Sequence, residues 1–104
     1  MRFGLDDLAV QRLQSVFRRH PEIEAVKVFG SRALGFEKPN SDIDLVLWGA
    51  VDDRLLGRIC GELEDLPLPY LFDVQVVSQV RHPGLRRHIE EHAVDLYETG
   101  AAGR

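Results

Sequence analysis

The chain has 104 residues, a length suited to one domain with one modest core. Hydrophobic residues make up 44% and charged residues 29%, which is the balance of a folded globular protein and excludes a disordered one. Against 17 acidic side chains stand 13 basic ones, a formal net charge of -4, so the basic excess of a nonspecific nucleic-acid binder is missing and stable nucleic-acid binding is not expected. The single cysteine, Cys60, rules out an intramolecular disulfide, and its place in an apolar helical pattern predicts core packing. No zinc-finger cluster is present. The first residues form no apolar run of signal-peptide length, and no stretch approaches a membrane span, so the expected location is cytoplasmic, away from any membrane.

Leu5 to His20 reads as an amphipathic helix, with Leu5, Leu8, Leu13, Val16 and Phe17 inward and Pro21 as its stop. Ala25 to Phe29 reads as a short strand that ends at Gly30-Ser31. Ser31 is a natural N-cap for a short helix from Arg32 to Leu34. Gly35 to Ser41 is a loop, and Asp42 to Trp48 a second strand rich in Ile, Leu and Val. Asp52 caps a helix that runs to about Leu66 on the stripe Leu55, Leu56, Ile59, Cys60 and Leu63, and Pro67 breaks it. Leu71 to Val77 is a third strand. Pro83 opens a last helix with Leu85 and Ile89 inward, His82 before it serves as a cap or loop residue, and Leu96 to Glu98 adds an edge strand. The class is therefore α/β or α+β around a small sheet, with a domain over 1–99 and a disordered tail over 100–104.

Three places carry chemistry. A strand that ends in Gly30-Ser31 at the start of a helix points backbone N–H groups and partial positive charge at one spot, which suits a phosphate; Arg32 could add a guanidinium. Taken alone, Gly-Ser after a strand is more often a plain turn. Asp42 and Asp44 then sit two apart on one strand face, with Ile43, Leu45 and Leu47 on the other. Like charges on one face repel, and Asp is disfavoured in strands, so a divalent cation such as Mg²⁺ is one compensation. A solvated strand end is the competing reading. Asp73 stands in an otherwise apolar strand, where a lone carboxylate is costly unless it meets a metal or an arginine such as Arg32 or Arg81.

Gly30-Ser31, ten residues, Asp42-x-Asp44 and a later strand carboxylate together resemble the signature of the DNA polymerase β-like nucleotidyltransferase superfamily. Gly30-Ser31-Arg32-Ala33-Leu34-Gly35 with Ser41-Asp42-Ile43-Asp44-Leu45 is similar to its minimal nucleotidyltransferase (MNT) group. The resemblance spans about residues 5 to 98 and is specific over 28 to 47. Leu34 departs from it, because many members carry Arg or Lys there. The resemblance implies a mixed β-sheet with flanking helices. It implies that Gly30 and Ser31, with Arg32 as a helper, hold a nucleoside triphosphate, expected to be ATP. Asp42, Asp44 and Asp73 would be the catalytic carboxylates and bind two Mg²⁺ ions, with Asp73 helping to activate an acceptor hydroxyl. It further implies an antitoxin that transfers AMP to a tyrosine of a helical HEPN-type toxin partner.

Two rival functions remain open: a non-catalytic module that inhibits a partner by contact, and a nucleotidyltransferase for a small molecule such as an aminoglycoside. The intact carboxylate set favours catalysis, and the short chain disfavours the small molecule. A homo-oligomer is left open. His88-Ile89-Glu90-Glu91-His92 imitates a zinc-protease helix, but that motif needs Glu directly after the first His, so an ordinary polar face is expected. Trp48 and Tyr97 lack a basic stripe and make no base-stacking platform.

Overall fold

The structure is a computed structural model, described here over residues 3–99. Helix α1 (Asp7–Arg18) leads into β1 (Ile23–Phe29), α2 (Ser31–Leu34) and β2 (Ile43–Gly49); α3 (Asp53–Glu64) leads to β3 (Phe72–Val76), and α4 (Pro83–His92) to β4 (Val94–Glu98). A 3-10 turn at Val77–Gln79, not anticipated from the sequence, follows β3. The strands form one mixed sheet in the order β3-β2-β1-β4. Strand β1 pairs antiparallel with β2 and β4, whereas β2 and β3 run parallel because the α3 crossover returns the chain to the same end. No helix among the described residues is long and apolar enough to cross a membrane. The expected tail at 100–104 lies outside the described residues.

Local chemistry sets the helix ends. Asp6 caps α1 by accepting from the Ala9 N–H at 2.8 Å, so Leu5 precedes the helix yet stays buried. Starting there, the helix turns Ala9, Val10, Leu13, Val16 and Phe17 inward. Leu8, expected inward, is instead 54% exposed, beside a surface groove that Pro67 to Tyr70 help to line. The helix also ends at Arg18, short of His20, whose buried ring meets Glu62 Oε1 at 2.9 Å and ties the end of α1 to α3. Asp52 caps α3 through the Leu55 N–H at 2.8 Å, and His82 caps α4 by accepting from Leu85 N–H at 3.2 Å through Nδ1.

The sheet has two unlike faces. On one, Val26, Val28, Ile43, Leu45 and Leu47 pack with Leu13, Val16 and Phe17 of α1 and Ile59 and Leu63 of α3, all essentially sealed from solvent. On the other, a smaller cluster of Phe29, Val46, Val80 and Ile89 lies under α4, with Leu85 and Trp48 partly buried against it. Strand β2 thus buries a continuous run, Leu45-Val46-Leu47, as a central strand covered on both sides does. Cys60 corrects the expectation of core packing: it is half-buried and lines an open groove with Asp42, Glu64 and Tyr70. Burial, then Glu64, raises its thiol pKa, which disfavours a reactive thiolate.

Candidate active site

The site lies on the α4 face, where β1 ends and β2 begins. Gly30 leaves β1 with φ 74° and ψ -154°, a conformation essentially restricted to glycine. Glycine is required there a second time, since a Cβ would run into Asp44 Oδ2. Ser31 was expected at the N-cap of α2. Gly30 holds that place instead, without a side-chain cap, and Ser31 is the first helical residue. After one turn α2 ends at Gly35, whose φ of 79° lets its N–H reach back to the Ser31 carbonyl.

Asp42 is the exposed residue just before β2, and Asp44 lies within it. Asp44 pairs in register with Phe29 of β1 on one side and with Asp73 of β3 on the other. Side chains paired in register project to the same face, so the two carboxylates stand side by side. The pKa of Asp44 is raised to about 6, by burial first, then by the negative charge of Asp73, then by that of Asp42; Arg32 acts in the opposite sense. All three expected carboxylates therefore share one electrostatic field. They are not drawn together as ligands: among the described residues no group of three or more His, Cys, Asp or Glu side chains is placed to hold a metal ion. Asp73 is exposed and accepts from Gln75 Nε2 at 3.1 Å.

Arg32, expected to face a phosphate, points into the protein and is only 3% exposed. Its guanidinium donates to the carbonyls of Phe3 at 2.8 Å and Ser41 at 2.7 Å, and more weakly to that of Asp42 at 3.3 Å. Its flat face lies 4.9 Å from the Tyr70 ring centroid. A planar cation with several donors meets several carbonyls more completely than it would meet one exposed phosphate oxygen, and the result is a pin between α2 and the start of β2.

His88 was missed. Its Nε2 accepts the Gly30 N–H at 2.8 Å, which brings α4 into the site. The only signal in the sequence was the His88/His92 pair, and that pair suggested a different chemistry. The rings of the two histidines do lie 5.4 Å apart, but within the described residues no metal cluster includes them.

Comparison with known proteins places this geometry. The fold matches a crystal structure described as a toxin-antitoxin with AMP-PNP, at a TM-score of 0.71 and 20% identity, over 89% of this chain and 76% of that one. A toxin-antitoxin structure named MntA-HepT gives 0.67 and 18%, over 90% of this chain and 74% of that one. A third, the tri-AMPylated Shewanella oneidensis HEPN toxin in complex with MNT antitoxin, gives 0.68 and 17%, over 95% of this chain and 77% of that one. At such identities the likeness is one of fold. No curated protein matches the sequence significantly. The sequence does match the family described as Polymerase beta, Nucleotidyltransferase over residues 11–101, nearly its full length. With that match, and with Gly30 set against Asp44 and Asp44 in register with Asp73, the chain belongs to the polymerase beta nucleotidyltransferase family.

Proposed function

We propose that this protein transfers AMP from ATP to a hydroxyl group with release of pyrophosphate, the acceptor oxygen bonding to the α-phosphorus as its bond to the β-phosphate breaks, that the hydroxyl is a tyrosine of a HEPN-type toxin, and that the transfer makes it an antitoxin. The observation that carries the reading is the in-register pairing of Asp44 with Asp73, with Asp42 in the same field and the Gly30-Ser31 turn alongside. Family membership supplies the reaction class. The structural neighbours, one an MNT antitoxin with an AMPylated HEPN toxin, motivate the choice of nucleotide and acceptor.

The donor set suits Mg²⁺. Carboxylates are its preferred protein ligands, and burial first, then the charges of Asp73 and Asp42, disfavour the charged form of Asp44, a cost that a divalent cation would relieve. Asp42, Asp44 and Asp73 are the residues that would hold it. When bound, the metal would supply charge neutralisation along the line of phosphoryl transfer. The chain's own part is positioning. Ser31 offers its hydroxyl and backbone N–H to the triphosphate at the start of α2. Gly30 lets Asp44 approach that turn. Arg32 fixes the backbone of Ser41 and Asp42, and so the direction from which Asp42 enters. Asp73, exposed on the edge strand β3, would accept the proton of an incoming hydroxyl.

The test is co-expression with a helical HEPN-type partner and intact mass measurement of that partner. An adduct of about 329 Da, the mass of one adenylyl group, is expected with the native chain and absent with Asp42→Asn. A contact-inhibitor reading makes a different forecast. It wins if the partner is silenced without gaining mass.

A further inference from the structure

The Gly30 amide is held by a residue outside the nucleotidyltransferase signature. Gly30 sits between two side chains. Asp44 Oδ2 occupies the space where a Cβ would be, and His88 Nε2 accepts the N–H at 2.8 Å. The bond spans 58 positions, so it joins α4 to the turn and belongs to no local cap. The start of α2 has no side-chain cap of its own. The His88 ring is itself fixed: it packs edge-on against Phe29 at 6.2 Å between centroids and lies beside His92. Because Nε2 accepts, the ring's single proton belongs on Nδ1.

We infer that His88 is a positioning residue of the nucleotide site, which holds the Gly30 peptide in its glycine-only conformation and thereby aims Ser31 at the triphosphate. The physical argument is one of orientation. Gly30 has the widest conformational freedom of any residue, and it directly precedes the residue that would hold phosphate. Its carbonyl side is fixed by α2, where the Ala33 and Leu34 N–H groups donate to the Gly30 oxygen. The amide side is fixed by His88. Without the acceptor the Phe29–Gly30 peptide is released, rotation about the Gly30 dihedrals is less constrained, and α2, which carries the Ser31 N–H and hydroxyl, loses its fixed angle to β1.

This inference rests on the proposed nucleotide site, and the experiment separates the two. Binding of ATP with Mg²⁺ is measured by calorimetry for the native chain, His88→Gln and His88→Phe, with thermal melts of each. Gln can present an amide oxygen to Gly30; Phe keeps the ring packing against Phe29 and offers no acceptor. The native chain and His88→Gln are expected to bind within about twofold of each other. His88→Phe is expected to bind roughly five- to tenfold more weakly, as loss of one orienting hydrogen bond implies. If His88→Phe does not fold, His88→Ala takes its place in the comparison. Native-like affinity in the variant without an acceptor, or equal weakening in His88→Gln, overturns the inference alone. A native chain that binds no ATP overturns the proposed function, and the inference with it.

Discussion

The two faces of the sheet are built for different ends. Under α1 and α3 the strands present only apolar residues, and Ile43, Leu45 and Leu47 of β2 are fully sealed there. Under α4 the same strand presents Asp44, then Val46, then Trp48, and only the middle one is fully buried. Residues one position apart on β2 thus answer to opposite demands. Leu45 lowers the free energy of the fold, whereas Asp44 stands in a field of like charge that raises it. The lesson is that one central strand can carry stability and chemistry at once if the alternation of side chains keeps them on separate faces.

Substitutions on β2 sharpen this contrast. Leu45→Ala is expected to cost the most, about 2–5 kcal/mol of unfolding free energy, as the removal of a fully buried leucine does. Denaturant titration measures it, and a loss below about 1 kcal/mol would mean that the α1/α3 face is not the stabilising one. Asp44→Asn is expected to lower AMP transfer by at least about a hundredfold while the fold survives. Near-native transfer by that variant would remove Asp44 from the site.

The same variant tests the electrostatics in the opposite direction. The pKa of Asp44 in the fold, about 6, lies above its ordinary 3.8. The protonated carboxyl therefore favours the folded chain, and that advantage is present below the ordinary value and lost as pH rises through the raised one. At about pH 7.5, without metal, Asp44→Asn should be more stable than the native chain by about 1 kcal/mol, allowing for solvent screening of a half-exposed group. At about pH 4 the difference should close. Melting curves at the two pH values check it, and a gap independent of pH would show that charge is not its cause. The smallest effect is expected at Phe36, 76% exposed in the loop after α2. Phe36→Ser should change stability by no more than about 0.5 kcal/mol, the usual range for surface positions.

Much of this was open to reading in the chain itself. The stripe from Leu55 to Leu63 and the Asp52 cap predict α3, and strand alternation separates Asp42 and Asp44 from Ile43, Leu45 and Leu47. What alternation cannot supply is the neighbour. That Asp73 lies against Asp44 depends on strand order and on the register of β3, which no local pattern encodes. Arg32 was misread because its partners are backbone carbonyls, and a carbonyl leaves no letter in the sequence. His88 escaped because one bond across 58 positions creates no periodicity. Leu8 was placed inward because a stripe of leucines was assumed to begin at Leu5, whereas the cap at Asp6 sets the start of the helix and hence its rotation.

The parallel pairing of β2 with β3 also has a consequence for the order of events in folding. Between Asp44 and Asp73 lies all of α3, so the pair cannot meet by closing a short turn. The β1–β2 pairing needs a shorter loop and faces a smaller entropic barrier. The carboxylates are thus scattered in the unfolded chain and become neighbours only when the crossover docks and β3 finds its register. A slip of one residue would turn Asp73 to the α1/α3 face. The repulsion between the two acids arises late, once packing of Phe72, Val74 and Val76 against the larger core can outweigh it.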